Sequence, residues 1–513
     1  MRGILASSIG VTCAAALALP LAPPAVASAE RPAPTTDAAT RAAVNSGTPG
    51  VPEAPGSTQS LPLGPLTHDR ASGAVLGLAP RAVRNFSLLG VVWDDPSAAL
   101  HGRVQVRTRA VSTGEWSDWQ EVETHYTEHG ADPDSAEAAS GRVRGATAPL
   151  WVGESNGVEV RVRPEAGETD SGEPAGGAPE PDAEAGDVDP VDVDPVDVDP
   201  VDVGSGDAGS GVVEADEAVA GGGGVPALPA GMRLDLVDPG DAEPAEAVSS
   251  GSGAEAPRTG VMTAAAKAAS AANSDIAPLG ATEIPMLTAE ETRQELVTLR
   301  GSELTVQQQA DAHIGPRPSI VTRRGWGADE SLREKNFSYT TKVKAAFVHH
   351  TASGNGYSCS QTPSLIRGFY RYHTKSLGWR DIGYNFLVDK CGRIYEGRAG
   401  GVAKAVKGAH TLGFNSKTTG IAVIGSYGSK KPSSKAVKAV ARLTAWKLGL
   451  SGMNPKAKTT LTSGGGNLYA KGKKVKMKVI SGHRDGFNTS CPGGKLYKKL
   501  SSVRSKAAGY QGR

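Results

Sequence analysis

The middle of the chain cannot contribute to a packed core, and this limits the folded units to its two ends. Between Arg163 and Arg233 there is no Lys or Arg, whereas Asp and Glu recur throughout and Val-Asp-Val-Asp-Pro is repeated at 191–200. Regularly spaced proline prevents a sheet ladder, and repulsion between carboxylates keeps the segment extended. We predict an acidic low-complexity insertion or linker over 166–224. A calcium-binding repeat is the alternative, but the glycine turns of such repeats are missing.

The N-terminus has the features of a secretory signal peptide. Arg2 precedes an apolar stretch that runs to about Leu21, and Ala27-Ser28-Ala29 offers a small-x-small cleavage site. The apolar stretch is too short and too interrupted by Gly, Ser and Pro for a membrane anchor. We therefore expect a signal peptide over 1–29, secretion to the extracellular space, and no membrane association after cleavage.

A small all-β module follows the signal. Residues 30–80 are rich in Pro, Ala, Thr and Gly without periodicity, and we predict that they are disordered. Gly102–Arg109 and Gly157–Arg163 alternate apolar and polar positions, which is typical of short antiparallel strands. We predict a β-sandwich-like module over 81–165, completed by one more strand within 225–240.

The C-terminal part of the chain predicts a mixed α/β domain. Residues 241–316 form an Ala-rich linker, within which a helix is expected over Ala289–Leu299, with Thr288 as N-cap and Glu291 three residues later. Beyond it, over 317–509, apolar strand-like runs alternate with amphipathic helical stretches. This pattern indicates a central β-sheet with flanking helices.

Three residues in this domain have the chemistry of a catalytic zinc site. His349 ends a strand-like run, and His483 and Cys491 lie in one later motif. Catalytic zinc usually has three protein ligands drawn from His, Cys and carboxylate, and the fourth position is left for water. Such a site activates water near neutral pH, which suits amide hydrolysis. His350 is the weaker ligand candidate, because adjacent strand residues point to opposite faces.

The cysteine count is compatible with this ligand set. Removal of Cys13 with the signal leaves Cys359, Cys391 and Cys491, an odd number in an oxidising compartment. A disulfide between Cys359 and Cys391 would leave Cys491 for a metal. The alternative is a disulfide that involves Cys491.

Short motifs follow one another in a fixed order over about 318–509. They are Arg324-Gly-Trp326-Gly, Val348-His349-His350-Thr351-Ala352, Gly378 to Phe386, Gly408-Ala-His410-Thr, Asn415, Gly420 to Gly425, and Gly482-His483-Arg484-Asp485 followed by Cys491-Pro492-Gly493. This order resembles the peptidoglycan recognition protein and type-2 N-acetylmuramoyl-L-alanine amidase family. The N-terminal module resembles those fused to such amidases in secreted actinobacterial proteins.

The resemblance implies an activity and a set of site residues. It implies zinc (Zn2+) held by His349, His483 and Cys491, and hydrolysis of the amide between N-acetylmuramic acid and L-alanine in peptidoglycan. It assigns a catalytic role to Tyr384, whose hydroxyl would hydrogen-bond the zinc-bound water or the developing oxyanion. Thr489 is the second catalytic candidate, at a position where phage-type members carry Lys and recognition-protein members carry Thr. Four further residues either contact the substrate or form structural hydrogen bonds: His373, Arg398, His410 and Asn415.

The charge distribution indicates the partners. The whole chain has a net charge of +1, but His313 to Arg513 contain 37 Lys plus Arg against 7 Asp plus Glu, a difference of +30. A basic secreted domain would accumulate on the anionic cell wall, both on peptidoglycan and on anionic wall polymers. Secretion argues against nucleic acid as a partner, and we expect a monomer.

Two other functions compete with the zinc amidase. The first is a non-catalytic peptidoglycan-binding recognition protein, although such members typically replace the cysteine ligand, which is present here as Cys491. The second is a cysteine amidase that uses Cys491 with His483 as base, and this interpretation leaves His349 without a role.

Overall fold

The computed structural model describes residues 56–66, 76–124, 126, 128–165, 227–240 and 262–513. The predicted signal peptide and the acidic tract 166–224 lie outside these ranges. Within them, no helix has both the length and the apolar character that crossing a membrane requires.

The N-terminal part folds into one eight-stranded antiparallel sheet, which confirms the all-β prediction. The strand order is β1-β8-β3-β7-β4-β5, and β2 and β6 pair with β3. Buried and more exposed side chains alternate along β4, as expected for a strand with one covered face. Val104, Val106 and Thr108 of this strand are buried while their neighbours are partly exposed. The strands are β1 (Ser57–Pro62), β2 (Gly64–Pro65), β3 (Leu76–Trp93), β4 (Gly102–Ala110), β5 (Gln120–Val122), β6 (Gly145–Ala146), β7 (Leu150–Pro164) and β8 (Arg233–Asp238).

The sheet includes residues from both sides of the acidic tract. Strand β8 lies between β1 and β3. The prediction of disorder over 30–80 is therefore wrong where the structure describes that range, because Ser57–Pro62 pairs along its whole length with β8. The polar sequence of β1 does not predict a strand, because the strand that pairs with it, β8, lies far away in the chain.

The C-terminal domain is built on a seven-stranded mixed sheet, in agreement with the predicted fold class. The order is β17-β11-β14-β12-β13-β10-β9, and β11 is parallel to both of its neighbours. A separate two-stranded hairpin joins β15 and β16. The strands are β9 (Glu283–Ile284), β10 (Ile320–Val321), β11 (Ala345–His350), β12 (Phe386–Val388), β13 (Ile394–Glu396), β14 (Thr418–Val423), β15 (Lys458–Thr462), β16 (Lys474–Lys478) and β17 (Ile480–Gly482).

Helices cover one face of this sheet, and a helix together with the N-terminal module covers the other. Ile421 and Val423 of β14 belong to the core that contains α5 and α7, whereas Ala422 between them faces α4. On that second face, Leu88 of β3 shares a core with Phe369 of α4. The helices are α1 (Ala264–Ala271), α2 (Ala289–Arg300), α3 (Val306–Ala310), α4 (Thr362–Arg371), α5 (Ser434–Gly449), α6 (Gly494–Tyr497) and α7 (Leu500–Tyr510).

The Ala-rich segment before the domain is part of it. The helix predicted from Ala289 is confirmed as α2, with the reciprocal hydrogen bonds of Thr288 and Glu291 at its start. The prediction that 241–316 is a linker is wrong for its described part. Ile284 and Leu296 of this segment are buried in the domain core. Only a few apolar side chains anchor the segment, and its low overall hydrophobicity therefore suggested a linker.

A disulfide joins Cys359, just before α4, to Cys391 in the turn between β12 and β13, and Cys491 is a buried free cysteine. This is the pairing that the cysteine count favours.

Lys447 on α5 predicts a pH dependence of stability. Its ammonium is buried and donates to the carbonyls of Val402 and Lys404 at 2.5 and 2.7 Å, and burial lowers its pKa from 10.5 to about 7. Between pH 7 and pH 10.5 this lysine binds a proton in the unfolded chain but not in the folded one. The free energy of unfolding therefore rises with pH by up to about 1.4 kcal/mol per pH unit. Unfolding in guanidinium chloride at pH 7.5 and 9.5 should show a larger rise of the free energy of unfolding with pH in the wild type than in Lys447→Met. Equal pH dependence in both chains would contradict the assignment.

Candidate metal centre and substrate groove

The sheet topology brings the three predicted zinc ligands together. His349 lies near the carboxyl end of β11, and His483 directly follows β17, which is parallel to β11 with Val348 opposite Gly482. The carboxyl ends of neighbouring parallel strands meet at one edge of a sheet. Cys491 reaches this edge from the following loop, and its Sγ lies 3.8 Å from His349 Nδ1. All three side chains are buried.

A fourth donor, His129, comes from the N-terminal module. One ligand atom from each of His129, His349, His483 and Cys491 lies within 4.8 Å of the others. His129 Nε2 is 3.9 Å from Cys491 Sγ, and its ring centre is 4.5 Å from that of His483. His129 is not recognisable from the sequence, where its only signal is a second histidine, His125, nearby in a stretch without periodicity.

The four side chains fit a zinc ion. Both ring nitrogens of His483 and Nδ1 of His129 are buried without a side-chain hydrogen-bond partner among the described residues, whereas buried polar atoms are normally paired. Zinc bonds of about 2.3 Å to sulfur and 2.0–2.1 Å to nitrogen at a tetrahedral angle place the two ligand atoms about 3.6 Å apart. The sulfur-to-nitrogen distances of 3.8 and 3.9 Å are close to that value. A set of imidazoles and one thiolate suits zinc rather than calcium or magnesium.

Hydrogen bonds behind the site orient the first histidine. His349 Nε2 lies 3.2 Å from His410 Nδ1 and 3.4 Å from the Thr411 hydroxyl, which leaves Nδ1 on the side of Cys491. Such outer contacts commonly fix the orientation of metal-binding histidines. Burial, followed by the nearby Arg398 charge, lowers the pKa of His410 to about 3, so this imidazole is neutral. His410 therefore supports the candidate ligand His349 from the ring nitrogen opposite Cys491.

Tyr384 and Thr489 lie beside the ligands. The Tyr384 ring centre is 5.6 Å from that of His349, and burial raises the pKa of its hydroxyl, which remains a donor. Thr489 Oγ1 accepts from the Cys491 amide at 3.1 Å and donates to Glu128 of the N-terminal module at 2.7 Å.

We call the surface beside the metal centre that carries His373, Tyr384 and Arg398 the groove. The predicted substrate contacts His373, Arg398 and Asn415 are occupied by protein groups. His373 Nε2 lies 2.7 Å from the Tyr126 hydroxyl, and its Nδ1 accepts from the Gly383 amide at 3.2 Å. Arg398 pairs with Glu137 at 2.9 Å. The Asn415 side-chain oxygen accepts from the amide of His410 at 2.7 Å, so Asn415 holds the turn that carries His410. His350 is absent from the ligand cluster, as strand alternation predicts.

Comparisons with known proteins find relatives of both parts of the chain. A family model described as N-acetylmuramoyl-L-alanine amidase matches 339–494, and one described as Rv3811 N-terminal galactose-binding domain-like matches 41–185. Peptidoglycan-recognition protein SC2 of Drosophila simulans is 32% identical over 36% of this chain and 84% of its own. The human N-acetylmuramoyl-L-alanine amidase is 30% identical over 36% of this chain and 28% of its own. The solved structure of wild-type Drosophila PGRP-LB is 27% identical, with a TM-score of 0.28, and covers 36% of this chain and 92% of that one.

Fold and site together define the C-terminal domain as a mixed α/β domain with a buried histidine and cysteine cluster at one sheet edge. The chain belongs to the peptidoglycan recognition protein and N-acetylmuramoyl-L-alanine amidase family.

Proposed function

We propose that this protein is a zinc-dependent N-acetylmuramoyl-L-alanine amidase that hydrolyses the amide between N-acetylmuramic acid and L-alanine in peptidoglycan. The observation that carries this proposal is the convergence of the buried side chains of His349, His483 and Cys491 beside Tyr384. Zinc held there would polarise the scissile carbonyl and supply a nucleophile from water at neutral pH.

The protein groups around that position have separate roles in the proposal. The protonated Tyr384 hydroxyl donates a hydrogen bond to the oxyanion that develops on the carbonyl oxygen. Thr489, whose hydroxyl accepts from the Cys491 amide, offers a second hydroxyl beside the candidate ligands. His373 and Arg398 line the groove, where the guanidinium suits a carboxylate of the stem peptide. His410 and Asn415 act indirectly, since they hold His349 and the turn behind it.

The proposed location of the enzyme is extracellular, on the cell wall. The signal-like N-terminus and the +30 charge difference of the C-terminal part support secretion and binding to anionic wall polymers. The relatives of this chain include proteins named for peptidoglycan recognition, and one of them, peptidoglycan recognition protein-LE, has been solved in complex with tracheal cytotoxin, a monomeric peptidoglycan. We extend this to peptidoglycan as the partner here, and we propose a monomer.

A non-catalytic peptidoglycan-binding protein is the second candidate. The observation in its favour is His129, since four protein ligands would complete a tetrahedral zinc site and leave no open position.

Chelation separates the two functions. We expect about one zinc per chain and release of the stem peptide from a soluble muramoyl-peptide, slowly by the wild type and faster by His129→Ala. This activity should be lost with 1,10-phenanthroline and recovered with added zinc. Hydrolysis that survives thorough chelation would rule out the zinc mechanism. Zinc binding without hydrolysis, both in the wild type and in a folded His129→Ala chain, would favour the binding-only function.

A further inference from the structure

A long loop of the N-terminal module enters the groove of the C-terminal domain. It connects β5, which ends at Val122, to β6, which begins at Gly145, and its described part has no strand and only one short 3-10 turn, Ala138–Ser140. Connections longer than about 12–15 residues without secondary structure are uncommon and are usually functional. We call Tyr126 and residues 128–142 the plug segment.

At the metal centre, the plug segment supplies His129. This side chain is buried and stacks on Tyr126, with ring centres 4.6 Å apart. Catalytic zinc sites leave one position to water, whereas structural zinc sites are filled by four protein ligands. With zinc held by His349, His483 and Cys491, His129 would take the position that the reactive water of an amidase needs.

Next to the metal centre, the plug segment contacts the side chains that would act on the scissile bond. The Tyr126 hydroxyl lies 3.3 Å from the Tyr384 hydroxyl and 2.7 Å from His373 Nε2. The Glu128 carboxylate accepts a hydrogen bond from the Thr489 hydroxyl at 2.7 Å, and the backbone carbonyl of Glu128 accepts one from the Leu412 amide at 3.0 Å. A substrate carbonyl could not reach Tyr384 while Tyr126 holds this position.

Further along the groove, acidic side chains of the plug segment bind polar and cationic groups of the C-terminal domain. Glu137 accepts from both terminal nitrogens of Arg398, at 2.9 and 3.0 Å, and from the Arg380 amide at 3.0 Å. Although burial opposes it, the Arg398 charge lowers the pKa of Glu137. Asp132 accepts from Asn415 Nδ2 at 2.8 Å and from the Gly413 amide at 3.1 Å, and pairs with Lys407 at 3.2 Å.

From these contacts we propose that the plug segment is a built-in inhibitor that keeps the amidase latent. It closes the metal site with His129, covers Tyr384 with Tyr126, and places the Glu137 carboxylate on Arg398, the cation that would otherwise bind a substrate carboxylate. The inhibitory role rests on the proposed function, whereas occupancy of the groove and the metal site does not. Activation then requires the plug segment to leave the groove while the sheet that carries it remains folded.

The test compares full-length His129→Ala and Glu137→Gln chains with the wild type. His101→Ala and Asp118→Asn are matched controls, since both residues are exposed in the N-terminal module outside the plug segment. The first readout is the rate of zinc transfer to a chromogenic chelator, and the second is the hydrolysis of a soluble muramoyl-peptide. We expect His129→Ala to transfer zinc at least about tenfold faster, and both plug variants to hydrolyse the substrate at least about tenfold faster. The control variants should behave as the wild type.

Hydrogen exchange of residues 128–142 adds a readout that needs neither metal nor substrate. Glu137→Gln keeps the size of the side chain and should raise exchange over this segment while exchange over β11 is unchanged. Wild-type zinc transfer and wild-type exchange in both plug variants would overturn the proposal. If the wild type is active, faster zinc transfer in a plug variant that hydrolyses the substrate only at the wild-type rate would also overturn the proposal. Faster zinc transfer and exchange with no hydrolysis in any chain would instead overturn the amidase function and leave the occupied groove standing.

Discussion

Replacement of His483 by Ala is expected to abolish zinc binding and to slow amide hydrolysis at least about a thousandfold. The side chain is fully buried, and neither of its ring nitrogens has a side-chain hydrogen-bond partner in the described part of the chain. The ring does approach the Glu128 backbone as a hydrogen-bond donor, so a loss of activity reports the loss of a metal ligand when zinc is lost with it. A thousandfold loss corresponds to about 4 kcal/mol of transition-state stabilisation, which is within the several kcal/mol that a catalytic metal provides.

His350→Ala is the matched control for this prediction. His350 is also a buried histidine at the same strand end, and its backbone amide, which donates to Cys491 Sγ at 3.4 Å, is kept in the variant. We expect His350→Ala to retain one zinc per chain. Zinc content after dialysis is measured by mass spectrometry, and hydrolysis is assayed in the wild-type and the His129→Ala backgrounds. Stoichiometric zinc in His483→Ala, with hydrolysis within tenfold of its parent, would contradict the assignment.

Local patterns in the sequence were sufficient to find most of the site in the C-terminal domain. His349 and His483 each end a short apolar run, and parallel pairing of those two runs brings both to one sheet edge. Alternation along the strand also predicted that His350 points away from His349. In the same way, the capping residues Thr288 and Glu291 placed the start of α2 correctly. Each of these features depends on neighbours close in the sequence.

The features that the sequence did not reveal depend on contacts between distant residues. His129 lies in a loop without periodicity, and it becomes a ligand candidate only because the N-terminal sheet docks on α4. His410 and Asn415 lie in a recognisable motif, but their positions behind His349 follow from the turn that they form together. Lys474–Ile480 looks like one strand in the sequence, whereas β16 pairs with β15 in a separate hairpin and β17 joins the main sheet.

Arg323→Met is expected to lower the free energy of unfolding by about 3–5 kcal/mol. The guanidinium is buried between Glu330, at 2.7 and 3.1 Å, and Asp381, at 3.0 Å, and it also donates to the Gly397 carbonyl at 2.6 Å. Removal of one partner from a buried ionic group leaves the remaining charge without compensation, and this loss is much larger than that of a surface pair. Guanidinium unfolding, followed by near-ultraviolet circular dichroism, measures the change. The neighbouring Arg324 is exposed, so Arg324→Met should stay within about 0.5 kcal/mol of the wild type.

The same network connects stability to the groove, and a double variant tests its physical cause. Asp381 accepts from the amides of Ile382 and Ala399 at 2.7 and 2.9 Å, on the two segments that carry Tyr384 and Arg398. If an uncompensated carboxylate causes the loss, Arg323→Met combined with Asp381→Asn should be less destabilised than the sum of the single variants by about 1 kcal/mol or more. Strict additivity would contradict this cause and would indicate that Arg323 stabilises the domain through packing on Trp326 and Tyr370 instead.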